Sequence, residues 1–152
     1  MFKKILVPLD GSELAEGAIM QAKKLATRFE AELHFLRIYA REQPIVDPHG
    51  GYVSYHTAVT SEEAKQRAVA YLEKVQSTHA DPKLDLLINT VESYVKVGEA
   101  IANFAAANDI GLIVMTSHGY TGFRRLIMGS VTTETLQYAQ CPVMVVPSTE
   151  EN

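Results

Sequence analysis

The sequence predicts an α/β fold: one domain over residues 1–152, built on an open, doubly wound, five-stranded parallel sheet with helices on both faces. Three observations carry this. Five short apolar, β-branched segments alternate with four helical patterns. One segment, Ile110-Gly111-Leu112-Ile113-Val114-Met115, is apolar without alternation, as suits a strand covered on both faces. The length, 152 residues, falls within the range of a single core, and no repeat, low-complexity tract or linker divides the chain.

The first strand reads Ile5-Leu6-Val7 and ends near Pro8, whose missing N–H bars it from mid-sheet. Gly11 breaks the chain and Ser12 is placed to cap a helix. That helix carries Ala15, Ala18, Ile19, Ala22, Leu25, Ala26 and Phe29 on one stripe. The second strand spans about Glu32 to Tyr39. Residues 40–59, with two prolines and two glycines, form a connection longer than usual, either a flap or a mobile segment. Thr60-Ser61-Glu62-Glu63 reads as a capping box, and Ala64, Ala68, Tyr71, Leu72 and Val75 as the buried stripe of the second helix. A third strand covers about Leu84 to Val91. A third helix near Glu99 to Ala107 turns Ile101, Phe104 and Ala105 inward. The apolar run from Ile110 is the fourth strand, Val131 to Tyr138 a short fourth helix, and Pro142 to Val146 the fifth strand.

Composition narrows the function classes. Hydrophobic residues make up 47% and charged residues 21%, ordinary for a chain with a real core. The net charge of −4 argues against non-specific binding to phosphodiester backbones. One cysteine, Cys141, excludes an intrachain disulfide and fits a reducing, cytoplasmic compartment. No apolar run approaches the ~18 residues that a membrane span needs, so a soluble protein is expected.

The segment from Thr116 to Ser130 is where chemistry is expected. It leaves a buried strand, passes Gly119 and Gly122, and delivers Gly129-Ser130 to a helix start. A phosphate there would meet backbone N–H groups and the positive end of the helix dipole. The same glycines also suit plain turns. Arg124 and Arg125 in this segment could assist a triphosphate, although a basic pair of this kind is more often solvated surface. His118 has no second ligand at metal spacing, and the other histidines are scattered. No Gly-x4-Gly-Lys-[ST] lysine loop is present.

Four stretches resemble the universal stress protein family: Ile5 to Ser12, Ile113 to Gly119, Gly129 to Thr132, and Cys141 to Val146. The resemblance covers nearly the whole chain. It implies strand order 3-2-1-4-5, with the reversal between strands 1 and 4, and an adenine-nucleotide site at the sheet's C-terminal edge. It implies that Pro8 and Ile38 border the adenine, that Met115 and Thr116 lie beside the nucleoside, and that Asp10 meets the ribose or the phosphate–metal region. Gly119, Gly129, Ser130, Val131 and Thr132 would hold phosphates. For Asp10 a turn or helix-capping role in Asp-Gly-Ser is the alternative, and for Ile38 and Met115 a place in the core.

Nucleotide-binding members carry Gly, two residues, Gly, nine residues, then Gly followed by Ser or Thr. Here Thr116 replaces the first glycine, while Gly119, Gly129 and Ser130 match. If that glycine serves a positive φ, threonine strains the loop; if it gives room, threonine narrows the pocket and leaves the phosphate cradle intact. The function implied is a stress-response module that binds ATP, with Mg²⁺ held through the phosphates, and regulates an unknown partner as a homodimer joined through strand 5. A slow ATP hydrolase or nucleotidyl-transfer enzyme is one alternative, and a dimeric member that binds no nucleotide is another.

Overall fold

The computed structural model describes residues 2–39, 60–117 and 128–147. The long connection at residues 40–59 lies outside them. The strands are β1 (Lys4–Pro8), β2 (Glu32–Tyr39), β3 (Leu86–Glu92), β4 (Leu112–Thr116) and β5 (Val143–Val146). All neighbours pair in parallel, in the order β3-β2-β1-β4-β5. The order therefore reverses between β1 and β4, as the family resemblance implies.

The helices are α1 (Glu13–Glu16), α2 (Ile19–Phe29), α3 (Ser61–His79), α4 (Val97–Ala107) and α5 (Ser130–Tyr138). Alternation along each strand sends side chains to two faces. On one face Ile5, Val7, Leu33 and Phe35 pack with Ile19 and Ala22 of α2 and Leu72 of α3. On the other, Leu6, Leu36, Ile113 and Met115 pack with Ile101 and Ala105 of α4, and Val131 of α5 joins them. Every residue of β4 is buried, because helices cover it on both sides.

One helix of the sequence reading is two. The stripe from Ala15 to Phe29 is interrupted at Gly17-Ala18, which separates α1 from α2. Gly17 N–H is shared between the carbonyls of Glu13 and Leu14, both at 3.2 Å, and Ala18 N–H reaches Ala15 O at 3.3 Å. The bonds to Leu14 and Ala15 are three-residue, 3₁₀-type closures that tighten one turn. A Cβ on Gly17 would lie 3.1 Å from Leu14 O and 3.6 Å from the Thr116 methyl. Phe29, expected on the buried stripe, is 36% exposed and meets Phe2 edge-to-face, with centroids 5.2 Å apart.

The capping box at α3 is complete. Thr60 Oγ1 accepts from Glu63 N–H at 3.2 Å, and Glu63 Oε2 accepts from Thr60 N–H at 2.9 Å. α4 ends at Ala107 as expected but starts two residues earlier than expected, at Val97, so Gly98 lies inside the helix. A Cβ there would lie 2.7 Å from Val131 O and 2.7 Å from Thr135 N, and closer still to Glu134 Cβ. The bare backbone of Gly98 lets α4 and α5 touch.

Candidate functional site

The site is built where the strand order reverses, beyond the C-terminal ends of β1 and β4. β1 ends at half-buried Pro8, which pairs with Leu36 of β2. Alternation turns Pro8 toward the α4–α5 face, where Ile38 and Met115 also pack. Three of the residues read as bordering the nucleoside are thus on one face. Met115 is 6% exposed and Ile38 is partly buried, so both also serve the core.

After Leu9 the chain turns sharply at Gly11, whose φ of +89° favours glycine. Asp10 Oδ1 accepts from Ser12 N–H at 2.9 Å and from the Ser12 hydroxyl. Ser12 Oγ in turn accepts from Ala15 N–H at 3.2 Å and caps α1. Asp10 therefore has the turn role weighed from Asp-Gly-Ser. One of its two oxygens takes part, and the other lies outside the turn's hydrogen bonds.

Thr116 ends β4 in the sheet ladder, opposite Val146. Among the described residues only Glu30 and Asp109 are non-glycine residues with positive φ, so Thr116 carries no left-handed strain. Its methyl faces Gly17 on the α1 side, opposite the face that holds Pro8, Ile38 and Met115. The side chain is 6% exposed and fills interior space beside α1.

Hydrogen bonds tie the start of α5 to the end of β4. Gly129 N–H donates to Ser117 O at 2.9 Å, and the Thr132 hydroxyl donates to Thr116 O at 3.1 Å. Thr132 is 2% exposed, so its side chain ties α5 to β4, and what it can offer a ligand is its backbone N–H. Val131 packs its partly buried side chain against the α4–α5 cluster. Gly129 precedes the helix with φ −60° and ψ 156°, and Ser130 is exposed. The first turn of a helix leaves the N–H groups of Ser130, Val131 and Thr132 without intrahelical partners, at the positive end of the dipole. Gly119, His118, Arg124 and Arg125 lie outside the described residues.

Sequence reasoning missed a polar group beneath the Asp10 turn. Arg37 Nη1 donates to Leu9 O at 3.3 Å, and the guanidinium lies 3.8 Å from where a Cβ on Gly11 would be. It stands 6.0 Å from the centroid of Tyr71, whose hydroxyl donates to Glu16 Oε1 at 2.9 Å. Burial, then the bond to Glu16, hold the Tyr71 hydroxyl well above the usual phenol range, so it remains a donor. The signal was present: in Leu33-x-Phe35-x-Arg37 a charge occupies the next inward position of an apolar alternation. Burial pushes the Cys141 thiol up, away from the reactive thiolate. Among the described residues no three His, Cys, Asp or Glu side chains converge to hold a metal ion, and no helix is long and apolar enough to cross a membrane.

Comparison with known proteins agrees with this geometry. The family model described as "Universal stress protein family" matches residues 1–147. A universal stress protein of Methanocaldococcus jannaschii is 32% identical over 147 residues, covering 96% of this chain and 82% of that protein. The structure of a universal stress protein from Lactobacillus plantarum superposes with a TM-score of 0.67 at 26% identity, covering 95% and 97% of the two chains. Two more distant structures share the fold. One, a universal stress protein in complex with cAMP, has a TM-score of 0.64 at 17% identity and covers 97% and 99%. The other, from Arabidopsis thaliana with AMP bound, has a TM-score of 0.60 at 14% identity and covers 97% and 92%. With a parallel 3-2-1-4-5 sheet and a family match over 147 of 152 residues, this chain belongs to the universal stress protein family.

Proposed function

We propose that this protein is a regulatory module of the stress response that binds ATP, with Mg²⁺, beyond the C-terminal ends of β1 and β4. The observation that carries the reading is the conformation of Gly129. At φ −60° and ψ 156° any residue would be at ease, so the backbone does not require glycine. The missing side chain instead leaves the first-turn N–H groups of α5 open to close approach by an anion. Relatives of the same fold hold cAMP and AMP, which agrees with an adenine nucleotide as the ligand.

In this reading Pro8, Ile38 and Met115 border the adenine and nucleoside. Thr116 meets the ligand through its backbone only. Gly119, Gly129 and the N–H groups of Ser130, Val131 and Thr132 hold phosphates. The free oxygen of Asp10 faces the ribose or the metal, and Mg²⁺ is held chiefly by the phosphates. Regulation is favoured over hydrolysis because the other Asp10 oxygen is already engaged by Ser12, which makes the carboxylate a poor general base. The module acts in the cytoplasm as a homodimer joined along β5, whose outer edge offers unpaired backbone groups.

Titration calorimetry with ATP and Mg²⁺, with mass spectrometry of any ligand that co-purifies, tests the reading. Heat of binding and a raised melting temperature are expected. No heat and no melting shift at millimolar ATP would overturn it.

A further inference from the structure

We infer that Arg37, backed by Tyr71 and Glu16, is a positioning residue that holds the β1–α1 turn in the shape that presents Asp10; its consequence for ligand binding rests on the nucleotide reading above. The turn is intrinsically loose. Gly11 at φ +89° has wide conformational freedom, and α1 has only four residues, too short to organise the chain before it. The Asp10–Ser12 bonds close it from within, and support from outside adds to them.

The neighbouring strand supplies that support. Leu9 N–H donates to Leu36 O at 2.8 Å, and the next residue of β2 sends its side chain back: Arg37 Nη1 donates to Leu9 O at 3.3 Å. Both polar groups of Leu9, the residue before Asp10, are thereby held by β2. The guanidinium also underlies Gly11, with three of its atoms 3.8–3.9 Å from the position of a Cβ there.

A half-buried guanidinium needs compensation for its lost water. Tyr71 of α3 offers its ring at 6.0 Å, a cation–π arrangement. The ring is itself anchored, because the Tyr71 hydroxyl donates to Glu16 Oε1 at 2.9 Å. Glu16 is the last residue of α1, so the brace closes on the far side of the turn it supports. Arg37 from β2, Tyr71 from α3 and Glu16 from α1 thus enclose the segment from Leu9 to Ser12. The role is mechanical, because the observed contacts of the three side chains are with the turn and with one another.

Three variants test this: Arg37→Met keeps the stem and removes the charge, Arg37→Lys keeps the charge, and Tyr71→Phe removes only the hydroxyl. The direct readout is amide exchange at Ser12 and Ala15, whose N–H groups close the turn and its cap. Arg37→Met should speed exchange at Ser12 by about tenfold and weaken ATP binding by about five- to tenfold, the loss of one charged hydrogen bond's ordering. Arg37→Lys should restore most of both, which a merely space-filling role would not predict. Tyr71→Phe should give the same pattern at about two- to threefold, and it stands in if Arg37→Met does not fold. Exchange decides the brace whether or not the wild-type protein binds ATP. Wild-type exchange at Ser12 in Arg37→Met and Tyr71→Phe overturns it, whereas faster exchange with no wild-type ATP binding upholds the brace and removes only the nucleotide.

Discussion

Gly98 on α4 and Val131 on α5 approach so closely that a single Cβ on Gly98 would lie 2.7 Å from the Val131 carbonyl oxygen. The obstructing atoms on α5 are mostly backbone, so no side chain can swing aside. This contact seats the helix whose N-terminus is the proposed anion-binding end of the site. Gly98→Ala should cost about 1–3 kcal/mol by overpacking and displace the first turn of α5. Urea denaturation reads the first effect, and amide chemical shifts of Ser130 to Thr132 the second. Wild-type stability with unmoved shifts would refute it.

Gly129→Val separates approach from backbone strain. Its φ and ψ suit valine, so stability should fall only by what a poorer N-cap costs, about 1 kcal/mol. ATP affinity should fall tenfold or more, as the loss of a charge-assisted contact costs about 1.5–3 kcal/mol. Ser130→Ala should cost less. Calorimetric titration of both variants, with melting curves, checks the ranking.

Thr116→Gly restores the glycine of nucleotide-binding relatives, yet it should not improve binding. The Thr116 side chain is buried against Gly17, away from the face of Pro8, Ile38 and Met115. Removing it leaves unfilled space and a more flexible strand end, and should cost about 1–3 kcal/mol of stability. A variant that gained ATP affinity in titration would show that the threonine does obstruct the ligand.

The capping box of α3 predicts a pH signature. Two hydrogen bonds from Thr60 hold the Glu63 carboxyl below its usual range. Because the folded value is depressed, the stabilisation is present at neutral pH and is lost as pH falls through and below the ordinary carboxylate range. Thr60→Ala should lower stability by about 1 kcal/mol at pH 7 and flatten this contribution at acid pH. Melting temperatures of both proteins across pH 3–7 decide it (the gap between them should narrow as pH falls).

For the proposed dimer, the informative substitution is on the exposed side of β5. Val143 packs into the α4–α5 cluster, so a charge there would injure the core as well as the edge. Met144 is 40% exposed. Met144→Lys should yield a folded monomer if β5 is the interface, and light scattering at micromolar concentration reads the mass. A dimer of wild-type strength would move the interface elsewhere.

The elements of this fold were legible because each is encoded by neighbours in sequence. The unbroken run from Ile110 to Met115 announced a strand buried on both faces, and Thr60 to Glu63 spelled out a cap that forms bond for bond. Ser12 was recognisable as a helix start for the same local reason. The strand order was not legible from periodicity and came through the family resemblance, because alternation specifies faces and says nothing of which strand lies beside which.

What the sequence alone determined is therefore the kind and succession of elements and the location of the glycine-bearing turn that leads into α5. Tertiary structure decided the rest. It split the first helix at Gly17-Ala18 and set that break beside the Thr116 methyl. It set Gly98 against α5, and it turned the side chains of Thr132 and Val131 inward, toward β4 and the α4–α5 cluster. It also gathered Arg37, Tyr71 and Glu16 around the Asp10 turn. The physical reason is common to all of these: packing and hydrogen bonding act through space at a few ångströms, between residues whose sequence separation carries no trace of the contact.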